Sequence, residues 1–343
     1  MTFRRHSQVA QAAYHDLVSL LLDEAVAGLR GAPTPRQING KTYWYDRYRI
    51  GADIHEHYLG EETPDLLARL EQFGSLKAER TSRRQERSRI VRLLRSERFL
   101  GMDGATGSLI AALSRAGVFR LGGTLVGTTA FRLYEGELGL RLTLDQTAMT
   151  NDIDIASFER LSLALGDTVS PPLQDVFDAF DFAPIPSLDR KRIWRWRQAS
   201  TETMIEFLAP SFEEGEGLRD LPALGVSAQS LHFLNYLIAD PIPAVAVYRD
   251  GILIRIPRPE RFAIHKLIIS DRRKDGPDSL KAKKDLLQAE LLIHVLFEDR
   301  PGDLADAYTD ALSRGPKWRE HLESSLARSP ASRERLEQSI SRD

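Results

Sequence analysis

Arg120–Ser157 reads RLGGTLVGTTAFRLYEGELGLRLTLDQTAMTNDIDIAS, and the way this stretch folds decides the rest. The apolar run Val118 to Leu121 predicts a strand, and Gly122-Gly123-Thr124 predicts a turn opening a helix over about 124–134. A glycine turn ahead of a helix leaves N–H groups unpaired and lets the backbone approach an anion closely. Further on, Asn151-Asp152-Ile153-Asp154-Ile155 alternates polar and apolar residues. That alternation predicts a strand over 152–156 with both carboxylates on one face and the isoleucines on the other. Two like charges on one face repel, and oxygen ligands of this kind suit Mg²⁺.

Downstream, Thr203-Met204-Ile205-Glu206-Phe207-Leu208 predicts another strand, with a carboxylate set between apolar neighbours. A Glu in such a place needs a partner: a metal shared with Asp152 and Asp154, or a salt bridge to Arg195 or Arg197 on the predicted strand 192–198. Helices are predicted at 158–166 and 228–238, and strands at 244–248 and 252–256. The pattern then turns helical from Pro259 to the end, with breaks at Gly276-Pro277, Pro301-Gly302 and Gly315-Pro316. The fold class is α+β, a mixed sheet with helices.

Upstream, helical spacing runs over 9–30 until Gly31 and Pro33 stop it. KTYWYDRYRI (41–50) and the alternating run 53–59 predict a β-hairpin turning at Gly51-Ala52, followed by a helix over 63–73. Asp53, His55 and His57 share one face there, as a polar strand face or a metal set. From Leu76 to Leu100 a helix without Gly or Pro carries nine basic residues (Lys77, Arg80, Arg83, Arg84, Arg87, Arg89, Arg92, Arg95, Arg98) against Glu79, Glu86 and Glu97. It reads as a solvated arm or as a track for a nucleic-acid backbone. Tyr43, Trp44, Tyr45, Tyr48 and Ile193-Trp194-Arg195-Trp196-Arg197 mix aromatics with cations, as single-strand platforms and half-buried strands both do. The expected division is an appendage of helix, hairpin and basic arm at 1–106, a core at 107–257 and a helical domain at 258–343.

Composition narrows the chemistry. The 343 residues carry 47 Lys plus Arg against 49 Asp plus Glu, a formal net charge of −2, which excludes a generic polyanion binder. Cysteine is absent, so disulfides, thiolate nucleophiles, iron–sulfur clusters and cysteine-ligated zinc are excluded. The N-terminus lacks a secretory pattern, and the apolar stretch 231–248 is broken by Asn235, Asp240, Pro241 and Pro243. A cytoplasmic protein without a membrane partner is expected.

Taken together, a glycine turn opening a helix, Asp-x-Asp on the next strand and a later third carboxylate resemble the DNA polymerase beta-like nucleotidyltransferase superfamily. Within it, the sequence looks closest to bacterial stand-alone nucleotidyltransferase-like proteins akin to the abortive-infection and toxin group, over about 108–290. By that likeness Gly122, Gly123 and Thr124 match the phosphate loop, Asp152 and Asp154 the metal pair, and Glu206 the third carboxylate. The sequence departs from the pattern in one respect: 28 residues separate Gly123 from Asp152. That is more than the superfamily usually has, and predicts a longer helix and inserted loop over roughly 135–150. Arg261-Phe262-Ala263-Ile264-His265-Lys266-Leu267 is similar to a helix whose Lys grips nucleotide phosphates, which makes Lys266 the match. Arg272-Arg273 and Lys283-Lys284-Asp285-Leu286 follow it, with Asp285 matching a Lys/Arg-Asp pair on the next helix. His265 is expected to pack or cap.

The resemblance implies a Mg²⁺-dependent transfer of a nucleoside monophosphate from a nucleoside triphosphate, with two ions bound, to an RNA end, a protein hydroxyl or a small molecule. It also implies a toxin or phage-defence setting with an antitoxin partner; the charge of the basic helix 77–98, not the resemblance, points to an RNA acceptor tracked by that helix. The competing readings are a non-catalytic nucleic-acid-binding protein that keeps the fold, and nucleotide binding or hydrolysis without transfer.

Overall fold

The computed structural model describes residues 3–27, 29, 31–50, 53–73, 79–142, 152–187, 189, 191–201 and 203–341. In chain order the strands are β1 (Arg4–Arg5), β2 (Ala32–Ile38), β3 (Lys41–Ile50), β4 (Asp53–Glu61), β5 (Thr124–Val126), β6 (Leu140–Arg141), β7 (Ile153–Ala156), β8 (Phe182–Pro184), β9 (Arg195–Gln198), β10 (Met204–Pro210), β11 (Leu218–Leu221), β12 (Val226–Leu231), β13 (Ile242–Ala246) and β14 (Ile252–Ile256). The helices are α1 (Gln8–Ala27), α2 (Pro64–Glu71), α3 (Arg80–Ser96), α4 (Gly104–Ala116), α5 (Gly127–Glu137), α6 (Glu159–Leu165), α7 (Leu173–Asp178), α8 (Leu234–Leu237), α9 (Pro259–Arg273), α10 (Ser279–Asp299), α11 (Pro301–Ser313), α12 (Pro316–Ala327) and α13 (Pro330–Ile340). The fold is mixed α/β.

A seven-stranded mixed sheet forms the centre. β10 runs parallel to β7 along one edge, and along its other edge it meets antiparallel β9 at its start and parallel β12 at its end. β5 lies antiparallel to β7, β11 antiparallel to β12, and β8 antiparallel to β9. Period-2 alternation then divides the faces. Ile153, Ile155, Ile205, Phe207 and Trp196 are buried on one of them. There Phe177 of α7 packs against Trp196 with ring centroids 4.6 Å apart, and Trp196 meets Phe207 edge-on at 5.6 Å. The opposite face carries the charged residues, and the charges of α9 and α10 reach it.

Helix α9 is buried on almost every side, as suits the axis of the C-terminal bundle. Phe262 stacks against Phe131 and meets Tyr134 of α5, at 6.2 and 5.1 Å, so α5 and α9 are fixed to each other by aromatic packing. The Tyr134 hydroxyl donates to the Pro257 carbonyl at 2.9 Å, just ahead of α9.

Several expectations are corrected by the structure. Residues 118–121 form turns rather than a strand, and the stretch predicted as helix from 124 is β5 followed by α5. The predicted helix 228–238 is β12 with a single helical turn after it. β2 joins β3 and β4 in a three-stranded antiparallel sheet, through a turn in which Asn39 and Gly40 both take positive φ (51° and 78°). Gly51-Ala52, Lys77 and the inserted loop over 143–150 lie outside the described residues.

The basic helix is an integrated element, not a solvated arm. Ile90, Val91 and Leu94 of α3 are buried against Ala10, Ala13, Tyr14, Leu17 and Leu21 of α1. Arg83 bonds Asp23 at 2.6 Å, and Arg87, itself only 4% exposed, bonds Glu24 at 2.6 Å and Asp250 at 3.1 Å. Arg89 pairs with Glu86 on the same helix. Truncating Arg87→Ala removes the buried guanidinium that bridges Glu24 of α1 and Asp250 of the β13–β14 turn, leaving Asp250 to the exposed Arg84 at 3.3 Å. Denaturant unfolding should show a loss of about 2 kcal/mol, whereas the exposed Arg92→Ala should change stability by less than about 0.5 kcal/mol.

Candidate active site

Register sets the site. Asp154 pairs with Glu206 across the parallel β7–β10 ladder, Val126 pairs with Asp154 on one flank, and Arg195 pairs with Glu206 on the other. Residues paired across a ladder project to the same face, so Asp154, Glu206 and Arg195 form one transverse row at intervals of about 4.8 Å. Asp152 lies two residues before Asp154 and therefore on the same side.

The row is electrostatically strained. Burial, the Glu206 charge and then the Asp152 charge push the Asp154 carboxyl up to about 7. Glu206 is raised as well, by burial first; Arg195 opposes that shift and Asp152 adds to it. Neither Asp154 nor Glu206 has a hydrogen bond or ion pair among the described residues. The salt bridge from Glu206 to Arg195 or Arg197 does not form; Arg195 instead lies over the Trp194 ring at 4.9 Å.

Immediately after Val126, α5 opens at Gly127. A Cβ at Gly127 would overlap Asp154 Oδ2, and Gly127 has φ +68°. Only glycine admits that carboxylate beside the helix start. No side chain caps this terminus, and the Thr129 hydroxyl donates to the Asp152 carbonyl at 3.0 Å, tying helix and strand together.

The glycine turn beside the carboxylates is thus Gly127-Thr128-Thr129, not Gly122-Gly123-Thr124. Because β5 is antiparallel to β7, Gly122 and Gly123 sit at the other end, against Leu161, Ser157 and Val118, and Thr124 is buried in β5 opposite Ala156. The sequence does carry a Gly-Thr pair at Gly127-Thr128, but the three apolar-leaning residues before it are too few to mark a strand from sequence alone.

Facing the row are cations from α9 and α10. Lys266 is buried (8% exposed) and forms an ion pair with Asp285, which also accepts from Arg273 at 2.7 Å. Those two cations hold Asp285 below the usual carboxylate range despite its burial. The fields of Lys266 and Arg273 reach Asp154, and burial together with Lys266 lowers Lys284, which Asp152 and Asp154 pull back. His265 packs as expected: burial, then the adjoining Lys266, push it down to about 3, so it is neutral. Among the described residues no group of three or more His, Asp or Glu side chains is drawn close enough to form a ready-made metal cage. For the N-terminal set this covers His57; the Asp53 and His55 side chains lie outside the described residues. A cavity of about 440 Å³ lies against Trp196, Asp220 and Ser227 and contains none of the three carboxylates.

Residues 104–313 match a family model described as nucleotidyltransferase. The chain belongs to that nucleotidyltransferase family. The match spans the carboxylate row, the Gly127 turn and the Lys266–Asp285 pair. One solved structure, an antigenic nucleotidyltransferase-like protein from Paracoccidioides brasiliensis, aligns over 65% of this chain and 94% of its own at 11% identity and a TM-score of 0.30. No curated protein matches this nucleotidyltransferase. Among the described residues no helix is long and apolar enough to cross a membrane.

Two consequences can be measured on the metal-free protein. A carboxyl moved from 3.8 up to about 7 binds its proton more tightly folded than unfolded, so its contribution to stability falls as pH rises from about 4 and levels off above 7. Asp154→Asn should therefore match the wild type in thermal melting near pH 4 and exceed it increasingly toward pH 8. Gly127→Ala should cost about 2 kcal/mol in denaturant unfolding, from the positive φ and the contact with Asp154.

Proposed function

We propose that this nucleotidyltransferase binds a nucleoside triphosphate with Mg²⁺ and transfers its nucleoside monophosphate to an acceptor hydroxyl. The observation that carries this reading is the transverse row: two carboxylates in register on adjacent strands, without a hydrogen bond or ion pair among the described residues, beside an uncapped helix N-terminus and within the field of the buried Lys266. The donor set fits a hard cation. It consists wholly of carboxylate oxygens, held on one face of a rigid sheet and left with open coordination for phosphate oxygens. Asp152, Asp154 and Glu206 would hold the ions, which when bound supply charge neutralisation at the α-phosphate and lower the barrier to in-line displacement.

The remaining work falls to the chain itself. The N–H groups of Gly127, Thr128 and Thr129 point from a helix start, where partial positive charge favours an anion. Lys266, oriented by Asp285, and Arg273 present cations to the triphosphate and to the departing pyrophosphate. Glu206 is raised by its surroundings and stands at the centre of the row, so it is the residue to accept the proton of the attacking hydroxyl. That hydroxyl bonds to the α-phosphorus as the bond to the bridging oxygen breaks. A toxin or phage-defence role with an antitoxin partner is suggested by the sequence resemblance alone, and a cytoplasmic setting by the character of the N-terminus and of the stretch 231–248.

The experiment is incubation with each α-labelled triphosphate, Mg²⁺ and total RNA or protein extract. Label should appear in a macromolecular fraction and fall by more than about a thousandfold in Asp152→Ala and Asp154→Ala with melting retained. Transfer that survives both substitutions would refute the assignment; nucleotide binding without transfer would favour the binding-module reading.

A further inference from the structure

The row of paired residues does not end at Glu206. Its next member is Arg195, and Arg197 stands two residues along β9 on the same face, opposite Met204. Arg195 Nε is buried without a hydrogen-bond partner, and Arg197 is exposed and forms no ion pair among the described residues. The charge of Lys281, near the start of α10, also reaches Glu206. The row therefore reads anion-binding helix start, carboxylate, carboxylate, guanidinium. Its two ends lie on opposite sides of the acidic centre, about 10 Å from Asp154 to Arg195.

A transferase joining two phosphate-bearing molecules needs cations on both sides of its metal-binding residues, one set for the leaving pyrophosphate and another for the acceptor. Gly127 and Lys266 serve the first side. We propose that Arg195 and Arg197 of β9 form the acceptor subsite and grip the phosphodiester backbone of a single-stranded nucleic acid whose terminal hydroxyl reaches Glu206. This rests on the nucleotidyl-transfer reading and adds the acceptor class. Single-strand grooves pair backbone cations with aromatic surface, and Trp194, partly exposed beneath Arg195, provides that surface. The alternative track, α3, has Arg83 and Arg87 tied to Asp23, Glu24 and Asp250, and it packs on α1 rather than beside the carboxylates.

The test uses the full chain with a short labelled single-stranded RNA and the DNA of the same sequence, titrated across a series of salt concentrations. Parallel titrations use inorganic tripolyphosphate. Arg195→Gln and the exposed Arg197→Gln should each weaken oligonucleotide binding roughly tenfold, and each should reduce the slope of log K against log salt by about 0.7 per lost phosphate contact. Tripolyphosphate affinity should stay unchanged in both. Arg195→Lys should recover part of the loss. Oligonucleotide affinity and salt slope that both variants leave unchanged overturn the subsite, as does an equal loss of tripolyphosphate binding. If the wild type binds neither tripolyphosphate nor nucleoside triphosphate, the failure lies with the parent reading. Preference between RNA and DNA arms identifies the natural strand.

Discussion

Asp154 and Glu206 face the same way on adjacent strands in register, and the electrostatic cost of that arrangement organises the rest of the molecule. The parallel β7–β10 ladder sets the separation of the two carboxylates, and the backbone hydrogen bonds and the apolar packing beneath prevent the strands from sliding apart. Among the described residues no cation forms an ion pair with either carboxylate. Their charge is opposed at a distance, by Lys266 and Arg273 at Asp154 and by Arg195, Lys281 and Arg273 at Glu206, while Lys266 and Arg273 themselves pair with Asp285. A site left partly uncompensated is under strain until it meets positive charge, which is a common signature of function.

The scaffold around this row is correspondingly rigid. Trp196, Phe177 and Phe207 close the far face of the sheet, while Phe131, Tyr134 and Phe262 fasten α5 to α9. The helix start at Gly127 and the cation on α9 are thereby fixed relative to the strands that carry the acids. The N-terminal elements brace this core from outside: the β2–β4 sheet docks through Asp167, which accepts from the Tyr58 N–H at 2.9 Å and pairs with Arg120. Further along, the buried His6 ring meets Glu135 of α5 at 3.0 Å.

Much of the acidic half of the site was legible because period-2 alternation is a local property: Asp152, Asp154 and Glu206 could be placed on strand faces from their neighbours alone. The C-terminal helices were legible from their Gly-Pro breaks. What escaped was non-local. Thr124-Leu125-Val126 is too short a run to announce a strand, and becomes one only because β7 lies alongside it. Once residues 118–121 form turns instead of a strand, the glycine beside the carboxylates moves four positions, from Gly123 to Gly127. β2 was hidden by Pro33 and Pro35, which an edge strand tolerates. Its Asn39-Gly40 turn carried a hairpin signal in plain sight. Family likeness singled out Lys266 and Asp285 separately but not their ion pair, since only the packing of α9 on α10 brings 266 and 285 together.

The most direct measurement is anomalous diffraction at the manganese edge from crystals grown with Mn²⁺ and a non-hydrolysable triphosphate analogue. Anomalous peaks should lie among Asp152, Asp154 and Glu206, with the analogue's phosphates running between the Gly127 helix start and Lys266. Manganese bound elsewhere with those three carboxylates vacant, or phosphates lodged at Gly122-Gly123, would contradict that arrangement.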